Sequence, residues 1–146
     1  MIKKKSKRKP PTLPKLAEKA AVILQRMVRL KACDDQGYAS CVTCGSTKPW
    51  TDMQGGHFIS RRHVIHKLLE ENIHPQCPYC NGFLDGNMVP YTIFMIDTYG
   101  RGFVEELQRT KLEVKKYTRQ ELVDLIADLN IQEREIRARK GLYLTS

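Results

Sequence analysis

Residues 41–45 read Cys41-Val42-Thr43-Cys44-Gly45, and residues 77–81 read Cys77-Pro78-Tyr79-Cys80-Asn81. Each is a CxxC knuckle, and 32 residues separate the two. A two-residue spacer lets both thiolates of a knuckle reach one ion at about 2.3 Å, and two knuckles complete a tetrahedron. One CxxC alone is a weak signal; two, set among Gly, Pro and Asn turn residues, are a strong one. The alternatives are two redox dithiols or buried free cysteines. Four thiolates leave no open position, so Cys41, Cys44, Cys77 and Cys80 are expected to hold a structural zinc rather than a catalytic one. Cys33 stands outside the pattern and reads as a small core residue.

A zinc there closes everything between the knuckles into a loop and supplies the rigidity that a short module lacks. Gln54-Gly55-Gly56-His57-Phe58-Ile59-Ser60-Arg61-Arg62 and Glu71-Asn72-Ile73-His74 must then lie near one another and near Asn81. Phe58-Ile59 reads as the start of a short strand. Asp85 would share a face with Asn81 if a helix begins there. Taken singly these residues have plainer readings. His57 suits a hydrogen-bonded structural histidine, Asn81 a helix cap, and Asn87 a turn or cap after Gly86. His63 and His66 read as surface histidines. Trp50, the only tryptophan, is expected beside the knuckles.

Upstream, Leu16, Ala20, Ile23, Leu24, Met27 and Leu30 recur at helical spacing, which predicts a helix over 15–32. Its outer face carries Lys15, Lys19, Arg26, Arg29 and Lys31, either a solvated face or one that contacts DNA. Pro10, Pro11 and Pro14 are expected to keep helix out of the preceding segment. Downstream, helical propensity returns from Met88 to about Thr110, interrupted at Gly100 and Gly102. Thr118-Arg119-Gln120-Glu121 is a capping-box pattern. With Leu122, Leu125, Ile126 and Leu129 following, and Gly141 as a C′ residue, it predicts a helix over about 119–140.

The 146 residues suit one compact domain with flanking pieces. The division expected is a basic disordered tail over 1–14, a helix over 15–32, a zinc-binding core over 33–110 and a C-terminal helical segment over 111–146. No stretch nears the length of an apolar membrane span, and the charged N-terminus lacks the apolar region of a secretory signal. Five cysteines without such a signal point to a reducing compartment, where paired cysteines mean metal more often than disulfide. Net charge is +9, and the first ten residues hold six basic side chains (Lys3, Lys4, Lys5, Lys7, Arg8, Lys9) and no acid. Such a block repels itself. It serves either solubility or contact with a polyanion, of which nucleic acid is the commonest.

The order of a histidine at a strand, a central asparagine and a third residue early in the next element resembles the HNH, or ββα-metal, nuclease superfamily. Many of its members carry zinc knuckles in these places. More closely, Cys41-Val-Thr-Cys44-Gly, Gly56-His57-Phe, Asn72-Ile-His74-x-Gln76-Cys77-x-x-Cys80-Asn81 and Gly86-Asn87-x-x-x-Tyr91 resemble the NinG (Rap) recombination proteins of lambdoid phages. Leu16-Ala-Glu-Lys-Ala20 and Arg29-Leu are similar as well, and the likeness covers about residues 15–110.

That resemblance implies an α+β fold, a zinc-stapled ββα-metal core flanked by a basic N-terminal helix and C-terminal helices. It implies a structure-selective DNA endonuclease acting on D-loops or Holliday junctions in the bacterial cytoplasm. Carried over by position, His57 is the general base, Asn72 orients its ring, and Asn81 ligates Mg²⁺ or Mn²⁺ with Asp85 as a second ligand. His74 is a further ligand or phosphate contact, and Arg61 or Arg62 holds a nonbridging oxygen. The residue before the base is commonly an Asp or His that binds metal, and here it is Gly56. This favours the competing reading, a noncatalytic zinc module that binds branched DNA or recruits phage or host recombination proteins. A third reading, a zinc-ribbon factor, would show a basic recognition helix, and residues 81–91 hold no Lys or Arg. A homodimer joined through the C-terminal helix would suit the near two-fold symmetry of a junction.

Overall fold

The computed structural model describes residues 7–143 and is an α+β protein. Lys3, Lys4 and Lys5 of the basic tail lie outside the described residues; Lys7, Arg8 and Lys9 are exposed and outside any regular element.

The first helix, α1, runs Leu13–Ala32, two residues longer at its start than periodicity indicates. Pro14 sits inside the first turn, where its missing N–H would be unpaired in any case. The Thr12 hydroxyl accepts from Lys15 N (3.4 Å) and caps that end. The last long helix, α5 (Arg119–Lys140 in chain order), has the expected box: Glu121 N donates to Thr118 Oγ1 (3.1 Å) and Thr118 N to Glu121 Oε2 (2.8 Å). Gly141 closes it with φ 67°.

These two helices run parallel. Arg119 at the start of α5 donates to Pro11 O (2.8 Å), and the Lys140 ammonium at its end donates to the carbonyls of Leu30, Lys31 and Cys33. Lys140 thereby satisfies the open C-terminal carbonyls of α1 and complements its dipole. Leu16, Ile23, Leu24 and Met27 bury against Leu122, Ile126, Leu129 and Ile136. The apolar stripe of the C-terminal helix is therefore used within the chain.

Between them lie two small antiparallel sheets. Strands β1 (Tyr38–Ser40) and β2 (Thr47–Pro49) flank the first knuckle, which forms the turn of the hairpin, with Gly45 at φ 76°. Strand β3 (Gln54–His57) pairs with β4 (Ile73–Gln76) in the register Gly56↔His74 and His57↔Ile73. The first strand of this pair thus ends at His57, whereas the sequence suggests a strand starting at Phe58. Their connection contains the short helix α2 (Val64–Lys67).

No helix begins at Asn81. The second knuckle opens into a single π-helical turn, Tyr79–Phe83, and the chain then reverses through three consecutive left-handed residues: Asp85 (φ 49°), Gly86 (92°) and Asn87 (48°). Asp and Asn tolerate that region better than other non-glycine residues. Helix α3 follows at Met88–Tyr99, and α4 at Arg101–Thr110. Gly100 (φ 87°) makes the break between them, while Gly102 is accommodated inside α4. Phe58, Ile59, Tyr91, Met95, Val104 and Leu107 form the core that holds α3 and α4 to the sheet.

Candidate functional site

The four knuckle sulfurs lie within 4.8 Å of one another. Cys44 Sγ and Cys77 Sγ are 3.7 Å apart, and ligands 2.3 Å from a tetrahedral zinc stand about 3.8 Å apart. The donor set fits zinc. Donors converge on the sulfurs: Cys80 N on Cys77 Sγ (3.4 Å), Asn87 Nδ2 on Cys80 Sγ (3.5 Å), and the Thr43 hydroxyl beside Cys41 Sγ (3.2 Å). Against desolvation of the buried sulfur, the Thr43 hydroxyl and neighbouring backbone N–H groups draw the Cys41 thiol down to about 6. Such contacts orient and tune thiolate ligands. Asn87 reads from sequence as a turn or cap residue and does stand in the turn at the N-cap position of α3, while its side chain donates to the Cys80 sulfur. Cys33 packs in the same buried cluster but is not among the four converging sulfurs, its Sγ lying against Leu30 O (3.1 Å). Trp50 packs beside the knuckles as expected, with Arg29 and Arg137 over its ring at 5.5 and 5.2 Å.

Beside this centre opens a cleft of about 1010 Å³ whose walls include His57, Asn81 and Asp85. Arg29, Arg61, Arg62 and Lys111 also line it, four cations against the one carboxylate of Asp85. His63, read from sequence as a surface histidine, lines it too, and Lys111 and Gln108 join it without having been singled out by the sequence, because their place depends on how α2 and α4 pack. Spacing alone offers no sign of that.

His57 is half-buried at the end of β3. Its Nε2 lies 3.2 Å from Lys67 O, and a carbonyl only accepts, so Nε2 carries the proton and Nδ1 keeps the lone pair. Burial, reinforced by the charges of Arg61 and Lys67, holds the imidazole below the usual histidine range, and the Lys67 carbonyl opposes this only in part. Asn81 Nδ2 donates to Gln54 Oε1 (2.8 Å), which moors the π-turn to β3 and leaves Oδ1 as its remaining acceptor.

The Asn72 side chain makes no hydrogen bond to the His57 ring. Fully buried, it accepts from Ile59 N (2.7 Å) and donates to Ile59 O (3.0 Å) and His66 O (3.2 Å). It pins the segment after His57, while Lys67 holds the ring.

His74 does not reach the cleft. Cross-strand partners share a face, so His74 lies with Gly56, opposite to His57. Tyr91 Oη donates to Gly56 O (2.7 Å) and must therefore accept from His74 Nδ1 (3.1 Å), which leaves Nε2 to accept from Tyr99 Oη (2.8 Å). Both nitrogens are spent, and burial pushes the ring down to about 4. His66, a surface residue on the sequence reading, is buried with Nε2 against Leu107 O and Thr110 Oγ1.

Gly56 lacks a side chain for a steric reason. An added Cβ would overlap Gln76 Oε1 and stand 2.7 Å from Gln76 Cδ. Arg26 is also reassigned: it is paired with Glu133 (2.7 and 2.9 Å) on α5 rather than displayed to a partner.

Fold and site together define a class, an α+β protein built around four clustered cysteines able to hold a metal ion, with a cationic cleft beside them. The sequence profile described as "Bacteriophage Lambda NinG protein" matches residues 2–139, and the chain belongs to that family. Protein ninG of Salmonella phage P22 is 33% identical over 69 residues, 47% of this chain and 34% of that one. Protein ninG of Escherichia phage lambda is 33% identical over 69 residues, 47% of this chain and 33% of that one. The matched segment spans about a third of the length of these relatives. No solved structure matches the chain.

Proposed function

We propose that this chain is a metal-dependent, structure-selective DNA endonuclease that hydrolyses phosphodiester bonds in branched recombination intermediates such as Holliday junctions and D-loops. The observation that carries this reading is the state of His57: a neutral ring with Nε2 tied to Lys67 O, its Nδ1 left as a base, in a cleft of cations. Nδ1 takes a proton from a water whose oxygen attacks phosphorus, and the P–O3′ bond breaks. Arg61 and Arg62 hold nonbridging oxygens. Asn81 and Asp85 offer oxygen donors on the same cleft, a set that suits Mg²⁺ or Mn²⁺ completed by phosphate and water. Such an ion, when bound, stabilises charge on the phosphate and the leaving oxygen. The order β3–β4–α3 beside the four-cysteine centre supports an HNH-like core.

Phosphate contacts carry no sequence information, so branch geometry supplies the selectivity. The noncatalytic alternative drew on Gly56, and Gln76 accounts for that glycine without it. No helix of the described residues is long and apolar enough to cross a membrane; the proposed setting is the cytoplasm of a bacterial host, with phage or host recombination proteins as partners.

The test incubates wild type and His57→Ala with labelled Holliday-junction, D-loop and linear duplex DNA, with Mg²⁺, with Mn²⁺ and without added ion. Ion-dependent cuts near the branch, absent in His57→Ala while binding persists, are expected. Tight binding of branched DNA with no cutting under either ion leaves only the binding-module reading.

A further inference from the structure

The π-turn that carries Asn81 on the cleft also carries Tyr79 and Phe83, and these two rings lie outside it. They stack on one another with centroids 5.1 Å apart and planes 15° from parallel. Tyr79 is 59% exposed and Phe83 76%, so the pair covers little of the protein's own core. The turn is nonetheless rigid. Cys77 and Cys80 anchor it in the metal centre, Asn81 N donates to Cys77 O (3.0 Å) and Leu84 N to Tyr79 O (2.9 Å).

We propose that Tyr79 and Phe83 form a stacking platform for an unpaired DNA base. The inference rests on the proposed DNA reading of the cleft and adds what the protein recognises at a branch, a base released from its own stack.

Three features favour a base over another occupant. The rings present flat π faces already in a parallel stack, which a base on the outer face of Phe83 extends. No Asp, Glu, Lys or Arg lies between Cys77 and Leu84, so the exposed rings suit the neutral part of a nucleotide, whereas the adjoining cleft with Arg29, Arg61, Arg62 and Lys111 suits its phosphate. Phe83, 76% exposed, leaves its ring open to the approach. The aliphatic row Val89, Ile93 and Ile96 on α3 offers no such π face and is not part of the assignment. Base–aromatic stacking tolerates any sequence, because every base has a π face.

The experiment measures equilibrium binding, without Mg²⁺ or Mn²⁺, to a duplex interrupted by a single-stranded gap containing 2-aminopurine and to a fully paired duplex of the same length. Phe83→Leu keeps the apolar bulk and removes the ring; Phe83→Trp keeps a ring. Phe83→Leu is expected to weaken binding of gapped DNA by roughly 5- to 100-fold and to abolish quenching of the 2-aminopurine. Phe83→Trp should restore both, and affinity for paired duplex should stay within about twofold. Equal affinity of wild type and Phe83→Leu for gapped DNA overturns the platform while leaving the nuclease reading intact. So does loss of self-association in Phe83→Leu with DNA binding unchanged, which would assign the rings to contact between copies. Failure of the wild type to bind any DNA overturns the DNA reading and the platform with it. Because no catalytic ion is present, none of these outcomes depends on cleavage.

Discussion

The Gln76 amide occupies the space that any side chain on Gly56 would need, with Gln76 Cδ and Cγ 2.7 and 2.9 Å from the position of an added Cβ. Gln76 cannot easily retreat, since it is fully buried and its Nε2 donates to Gly86 O (2.7 Å) and Thr43 Oγ1 (3.2 Å). The pair locks β3 to the reversal at residues 85–87. Gly56→Asp, the substitution that would mimic a metal-binding neighbour of the base, is therefore expected to destabilise by about 1–3 kcal/mol or more without improving ion affinity. Gly56→Ala should cost less in a Gln76→Ala background than in the wild type, a coupling that a double-mutant cycle in urea reads directly. Additive costs would show that the two residues do not compete for the same space.

If the proposed nuclease reading holds, loss of His57 should lower cleavage by about 10²- to 10⁴-fold while leaving junction affinity unchanged. The base must be neutral to act, and the ring sits below the usual histidine range. Activity should therefore rise with pH through a midpoint below the ordinary value of 6.5 and be flat above it. Arg61 contributes to that lowering, so Arg61→Ala should move the acid limb of kcat/KM to higher pH. A limb that stays put in Arg61→Ala would mean that the titrating group is not His57.

The four-cysteine centre predicts one zinc per chain, released by strong chelators with loss of cooperative unfolding, because structural zinc binding is coupled to folding. The Cys33 thiol donates its hydrogen bond to a backbone carbonyl that a hydroxyl can also satisfy, so Cys33→Ser should retain one zinc. Cys80→Ser should not. Elemental analysis of the two variants decides the matter, and loss of metal from Cys33→Ser would place that thiol among the ligands.

Much of this was legible in the sequence where one local rule decides the outcome. The knuckles, the capping box at Thr118 and the apolar stripe of α1 depend on spacing within a few residues, and each reappears in the structure. What was misread depends on pairing across the fold. Which face His74 takes follows from the β3–β4 register, and whether Arg26 is free follows from the meeting of α1 with α5. His66 reads as a surface histidine, yet it is buried, because Leu107 O and Thr110 Oγ1, far away in sequence, satisfy it. The reversal at Asp85–Asn87 carries a visible sign, Asp-Gly-Asn, and the pairing of Asp85 with Asn81 on one face depended on a helix that does not form there.

Arg26 belongs to a chain of ion pairs in which Glu133 also accepts from Arg137 (3.0 Å). Glu133 is 6% exposed, so removing Arg26 leaves a buried carboxylate with one partner fewer. Arg26→Ala is expected to cost about 1–3 kcal/mol of stability and to leave DNA affinity unchanged. Arg62→Ala, on the cleft wall, should do the reverse, weakening binding and reducing its salt dependence by about one unit of slope. Filter binding across a salt series separates the two. Equal losses of affinity would return Arg26 to the DNA-contacting face.

His74 ties stability to pH. Its pKa of about 4 in the fold compares with an ordinary 6.5. Between those values the unfolded chain takes up a proton that the folded one refuses. The contribution is complete above pH 6.5 and is lost as pH falls toward 4. The displacement corresponds to about 3 kcal/mol. The acid sensitivity of the thiolates is common to wild type and His74→Gln, so the comparison cancels it. His74→Gln also breaks the Tyr99–His74–Tyr91 relay and starts less stable at neutral pH. Its deficit should shrink by roughly that amount as pH approaches 4, because the variant has no imidazole to charge. Urea unfolding at about pH 7, 5.5 and 4.5 measures the difference. Curves that run parallel throughout would mean that the ring accepts its proton without disturbing the two tyrosines.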